Sequence, residues 1–181
     1  MRTFIALNLD KYALAAFTDT LNAYKSHLPA NISRYILPEN YHITLAFLGE
    51  IDRAILPILS ENLQILANEL QPFSICLREL KYFPHEEHPK VLAGMLDPSP
   101  ILMTLESELV LMLKNMNIEY SSHHDYRPHM SIAYCQDLNH QVPPLPKMLL
   151  NISSTIHAIS IYESHTDESS SRYEKIVEII F

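Results

Sequence analysis

Apolar residues recur along this chain in two rhythms. Steps of three and four join Leu14, Phe17, Leu21, Tyr24 and Leu28, which predicts an amphipathic helix closed by Pro29. The same period runs through Ile55, Leu59, Leu63, Leu66 and Leu70, with Pro57 placed in the first turn or kinking it. It returns at Ile101, Leu105, Leu109, Met112 and Met116. Between these lie shorter apolar runs that read as strands: Thr3–Leu9, Ile32–Leu37 ended by Pro38, Tyr41–Leu48 stopped at Gly49, Phe73–Tyr82 and Lys90–Leu96. Three more follow at His129–Tyr134, Thr155–Glu163 and Tyr173–Phe181. Polar stretches at His85–Pro89 and Ser164–Arg172 and the proline-rich Gln141–Pro146 read as connections.

The pattern repeats within the chain. A shift of 88 positions carries Leu14, Phe17, Leu21, Tyr24 and Leu28 onto Leu102, Leu105, Leu109, Met112 and Met116, all apolar. It also carries Arg2 onto Lys90 and Phe4 onto Leu92. One residue fewer, a shift of 87, carries HITLA (His42–Ala46) onto HMSIA (His129–Ala133). Each half therefore reads strand, helix, then a strand that begins with histidine. The expectation is one domain over residues 1–181, built from duplicated units at roughly 2–48 and 90–135.

Composition narrows the functions available. The chain is 181 residues long, 48% hydrophobic and 19% charged, so it can bury a core. No apolar run approaches the about 18 residues of a membrane span. Phe4–Leu7 is too short for a signal peptide, and two cysteines, Cys76 and Cys135, make no disulfide framework. A cytoplasmic, monomeric protein is expected. A net charge of −8 argues against wrapping a long nucleic acid and favours a grip on one end or one phosphate. Two glycines, Gly49 and Gly94, exclude the glycine-rich phosphate loops, so a phosphate site must be built from side chains.

The candidate chemistry lies in the repeated strands. Residues i and i+2 share a strand face, so His42 points with Thr44, and His129 with Ser131. Imidazole changes charge near neutral pH. One neutral histidine can accept a proton from water while one protonated histidine donates to a leaving oxygen. Hydroxyls can donate to non-bridging phosphate oxygens. That scheme needs no metal or cofactor. The bare pattern His-x-Ser/Thr is weak, since among ten histidines chance supplies about one match. Its placement is what gives it weight: both matches open strands at equivalent places in the repeat.

HITLAFLG (His42–Gly49) and RPHMSIAY (Arg127–Tyr134) resemble the two His-x-Thr/Ser-x motifs of the 2H phosphoesterase superfamily, and within it the RNA 2′,3′-cyclic phosphodiesterases, also called LigT-like proteins or 2′-5′ RNA ligases. RTFIAL, PENYHITLAFLGE, PKVLAG and the closing IYES and RYEKIVEIIF extend the likeness over nearly the whole chain. The resemblance implies a bilobal α+β fold with pseudo-two-fold symmetry, two antiparallel sheets lining a central cleft and helices outside. It implies metal-independent opening of a 2′,3′-cyclic phosphate, on RNA ends or cyclic nucleotides, to a 2′-phosphomonoester. It makes His129 the general base and His42 the general acid. Joining of RNA ends through a 2′-5′ linkage and non-catalytic binding of nucleotides are the alternatives. The chain departs from the family at three places: Ser131 replaces threonine, Lys90 stands where many relatives have arginine, and Tyr134 where many have a basic residue. Loss of a guanidinium at 134 would weaken phosphate binding unless Tyr134 or Arg127 substitutes for it.

Arg2 and Lys90 are further candidates for phosphate contact, and Tyr41 and Phe47 for stacking on a base. HEEH at His85–His88 has i, i+3 spacing between prolines and reads as a solvated loop, not a metalloprotease helix. His123, His124 and Asp125 lack a second ligand cluster and read as a polar loop before the second motif.

Overall fold

A computed structural model describes residues 1–121, 125–136, 142–166 and 171–181. The elements are β1 (Arg2–Leu7), α1 (Lys11–Tyr24), β2 (Ile32–Tyr35), β3 (Ile43–Glu50), α2 (Leu56–Asn68), β4 (Phe73–Phe83), β5 (Val91–Leu96), α3 (Pro100–Asn115), β6 (His129–Cys135), β7 (Leu149–Ile156), β8 (Ala158–Thr166) and β9 (Ser171–Ile180).

The helices form where the apolar period placed them. Asp10 caps α1, its Oδ1 accepting from the amides of Tyr12 and Ala13 at 2.9 and 3.0 Å, which satisfies donors that a helix start leaves open. The helix ends at Tyr24; a short 3₁₀ turn, Lys25–His27, carries the chain to extended Leu28. Pro57 sits in the first turn of α2, where its missing N–H costs nothing. Phe17 and Leu21 of α1 are buried, as are their repeat counterparts Leu105 and Leu109 of α3.

The strands make one antiparallel sheet in the order β7-β4-β5-β6-β3-β1-β8-β9, with β2 added beside β6. This corrects the expected two sheets. The joint is narrow: the register between β3 and β6 is the single pair Ile43–Met130. Beyond it the two strands part, and each takes another partner on the vacated edge. β6 pairs with β2, Arg34 opposite Tyr134. β3 forms a bridge from Phe47 to Ser121. Main-chain pairing of Ile43 with Met130, near the start of both strands, thus fuses what would otherwise be two sheets.

The helices cover one face. α1 lies against β7, α3 against β3, and α2 against α3, β8 and β9. Gly94 permits the close approach there, since a Cβ would stand 2.9 Å from Leu77 Cδ2 and 3.8 Å from the Phe17 ring. On the opposite face Phe4, Ala6 and Tyr162 form a second buried cluster with Tyr173 against it. Strand β1 is consequently buried on both faces from Thr3 to Leu7.

Several boundaries differ from expectation: β1 ends at Leu7 rather than Leu9, and β3 begins at Ile43, which leaves Tyr41 and His42 just before the strand instead of within it. Thr155–Glu163 is not one strand: β7 ends at Ile156 and β8 begins at Ala158. Strand β7 itself escapes the hydrophobic pattern because Ser154 takes an inward position. Its hydroxyl donates to Asp10 Oδ2 at 2.9 Å and is buried with Met148, Leu150 and Ile156. The expected loop Ser164–Arg172 is largely a continuation of β8 and β9, with 167–170 outside the described residues. Residue 141 of the proline-rich connector lies outside them too.

Candidate active site

The diverging strands β3 and β6 open a cleft of about 840 Å³. His42, Thr44, His129 and Ser131 all line it. A larger groove, about 1000 Å³, runs elsewhere along α2 and α3 past Ile58, Leu111 and Met112. It holds no imidazole, so chemistry rather than size singles out the smaller cleft.

Both histidines are held in the same way. His42 Nδ1 lies 2.7 Å from the carbonyl oxygen of Asn40, and His129 Nδ1 lies 2.8 Å from that of Arg127. A carbonyl only accepts, so each Nδ1 carries hydrogen and donates. In the neutral ring this assigns the acceptor role to Nε2, the nitrogen that proton transfer in the cleft would use. In each case the carbonyl is two residues upstream, and the two are repeat counterparts, 87 positions apart.

The surroundings of the rings differ. His42 lies among aromatics: Phe4 at 4.7 Å, Tyr173 edge-on at 5.1 Å and Tyr162 at 6.2 Å between centroids. The residue keeps an opening to the cleft, but its ring is largely out of water. Burial holds the His42 imidazole down to about 4; repulsion from His129 adds to this and the bond to Asn40 opposes it. His129 instead stacks on Phe83, with centroids 3.8 Å apart. Arg127 lies over the same Phe83 ring at 4.7 Å and donates to the Pro84 carbonyl at 2.9 Å.

Irregular strands bring in two further side chains. In β3 the pairing with β1 skips Leu45 and Leu48; in β6 the pairing with β5 skips Ile132. Such bulges move the alternation by one. Phe47, three residues after Thr44, and Tyr134, three after Ser131, therefore join the cleft lining instead of turning away. Leu45 and Ile132 are again 87 positions apart.

Of the other candidates, Arg2 lines the cleft and Tyr41, Lys90 and Arg127 do not. Tyr41 is 5% exposed and packs edge-on against Phe17, so its ring cannot stack on a base. Burial pushes its hydroxyl up to about 12. Lys90 is exposed at the start of β5, joined to Phe83 and Cys135 through its backbone. Arg127 lies over Phe83 and donates to the Pro84 carbonyl, outside the residues that line the cleft. His85 and His88 are exposed between β4 and β5. His123 and His124 lie outside the described residues. Arg34, Phe4, Ser121 and Tyr173 line the cleft without having been expected there. The repeat offered a signal for two of them: a shift of 87 pairs Arg34 with Ser121 just as it pairs Phe47 with Tyr134.

Comparison with known proteins agrees with this architecture. The protein of Thermus thermophilus called TT0787 superposes with a TM-score of 0.85 at 22% identity, covering 99% of this chain and 97% of that one. Escherichia coli LigT complexed with 3′-AMP superposes with a TM-score of 0.75, also at 22% identity, covering 99% and 97%. In sequence, the RNA 2′,3′-cyclic phosphodiesterase of Bacillus subtilis is 26% identical over 155 residues, 85% of this chain and 84% of that protein. The model of the 2′-5′ RNA ligase superfamily matches residues 12–168. With most of its length matched, and with paired histidine strands meeting in one cleft, the chain belongs to the 2′-5′ RNA ligase superfamily, the LigT-like 2H phosphoesterases.

Proposed function

We propose that the chain hydrolyses a terminal 2′,3′-cyclic phosphate, on an RNA end or a nucleotide, to a 2′-phosphomonoester without a metal. The observation that carries this reading is the matched pair of imidazoles, each oriented by a main-chain carbonyl and each accompanied by a hydroxyl, in one cleft. Relatives named RNA 2′,3′-cyclic phosphodiesterase support the choice of substrate. In this reading His129 Nε2 takes a proton from water as its oxygen attacks phosphorus. The bond from phosphorus to the 3′ oxygen breaks, and His42 gives that oxygen its proton. Thr44 and Ser131 donate to the non-bridging oxygens as charge builds there. A strained ring and an alcohol leaving group make positioning and proton transfer sufficient.

The test is hydrolysis of nucleoside 2′,3′-cyclic phosphates in the presence of EDTA, with the product identified as the 2′- or 3′-monoester. His42→Ala and His129→Ala should each lower kcat/KM by about 10²–10⁴-fold, the range of acid–base catalysis. Full activity in both variants sinks the proposal. A 3′-monoester would keep the reaction class and exchange the leaving oxygen.

A further inference from the structure

The cleft is built symmetrically and lined asymmetrically. Tyr134 is the repeat counterpart of Phe47, and Ser121 of Arg34. Arg34 pairs with Tyr134 on β6 as Ser121 bridges to Phe47 on β3. All four side chains line the cleft. One end therefore presents a guanidinium on a phenol ring, and the equivalent place at the other end a small hydroxyl beside a phenyl ring. The Arg34 guanidinium carbon stands 4.0 Å from the Tyr134 ring centroid. The ring holds the guanidinium in place by a cation–π contact, and the guanidinium fork is the donor that can meet two phosphate oxygens at once. Arg34 is exposed, so a ligand in the cleft can reach it. In a chain of net charge −8, the cleft lining sets two cations, Arg34 and Arg2, against one carboxylate, Glu119.

We propose that Arg34, held over the Tyr134 ring, binds a phosphate group of the substrate and so sets the direction in which a nucleotide lies across the two histidines. The inference rests on the reading that the cleft takes nucleotide phosphates. The phosphate has two possible sources: the terminal group that reacts, or the phosphodiester preceding the last nucleotide.

Calorimetry with 2′-AMP, with adenosine, and with an ApA dinucleotide ending in a 2′-phosphate tests it without requiring turnover. Arg34→Ala should weaken the phosphorylated ligands roughly ten- to hundredfold, the worth of a charge-assisted hydrogen bond, and leave adenosine unchanged. Adding Tyr134→Arg to Arg34→Ala should restore most of that loss, because the new guanidinium starts from the paired position. Arg34→Lys should recover less, since an ammonium lacks the guanidinium fork. A loss on both ligands assigns Arg34 to the terminal phosphate; a loss confined to the dinucleotide assigns it to the preceding phosphodiester. Wild-type affinity of Arg34→Ala for both phosphorylated ligands overturns the proposal, as does an equal loss for adenosine. A wild-type chain that binds 2′-AMP through Arg34 yet never opens a cyclic phosphate refutes the hydrolase reading alone. Normal turnover with an unchanged KM in Arg34→Ala refutes the Arg34 site alone.

Discussion

Ile43 and Met130 pair across the seam between β3 and β6, and they are the repeat counterparts that directly follow the two histidines. The pairing sets both imidazoles at the one place where the two groups of strands touch. We take it, with the matched bulges at Leu45 and Ile132, as the structural support for duplicated units over roughly 2–48 and 90–135. If the units arose that way, each hydroxyl has the same job. Thr44→Val and Ser131→Ala should each cost kcat about 10- to 100-fold while KM moves little, because the donor works where charge develops. Steady-state kinetics on a cyclic mononucleotide checks this, and a change confined to KM contradicts it.

His42 should remain neutral in the empty cleft down to about pH 4, visible by NMR of the ring. Between its ordinary 6.5 and that value the unfolded chain binds a proton that the folded chain refuses, so stability falls as pH falls through this window. Replacing His42 with glutamine should flatten that slope in urea titrations. For His42 to serve as the acid, its proton must arrive with the substrate, whose phosphate favours imidazolium. Binding of 2′-AMP near pH 7 should therefore take up protons, measured by calorimetry in buffers of different ionisation heat. No uptake would exchange the roles of His42 and His129.

Phe83 supports the His129 ring at 3.8 Å and carries Arg127 as well. Phe83→Leu keeps the volume nearly constant but removes the flat partner. We expect kcat to fall about tenfold, of the order that loss of an aromatic pair implies, while the Tm changes by a few degrees. An unaltered kcat would show that the ring is oriented without Phe83.

Asp10 joins the start of α1 to β7 through four hydrogen bonds, from Tyr12, Ala13, Ser154 and Thr155. Burial alone would raise its pKa, but the bonds from Ala13, Thr155, Ser154 and Tyr12 outweigh it and hold the carboxyl below its ordinary value. Its contribution is therefore present above the unfolded value and is lost as pH falls through the folded one. Asp10→Ala should cost about 0.5–2 kcal/mol as a helix cap, with more from the Ser154 O–H and the Thr155 N–H, which lose their acceptor. Chemical denaturation at pH 7 measures it, and cyclic phosphate turnover should persist.

The helices were legible because burial alone sets their period: Phe17, Leu21, Leu105 and Leu109 are inside where the steps of three and four put them. His42 with Thr44, and His129 with Ser131, share a face as strand alternation predicts because both pairs precede the bulges at Leu45 and Ile132. Phe47 and Tyr134 were read by composition and resemblance rather than by face, since strict alternation turns both away and the bulges that reverse this leave no mark in residue type. Strand β7 was missed because a buried serine satisfied by Asp10 looks like a loop residue. The single sheet was missed because one main-chain pair, invisible to side-chain patterns, decides it. Arg34 was passed over in a short strand whose partner, β6, lies about 100 positions away, a pairing that no local pattern reports.

Each imidazole is oriented by a main-chain carbonyl. Any residue at 40 or 127 brings the same oxygen, and the two halves already differ there, asparagine in one and arginine in the other. The tautomer is therefore inherited with the path of the chain. Sequence drift at these positions leaves it intact, and only an insertion or deletion between the carbonyl and the ring would take it away.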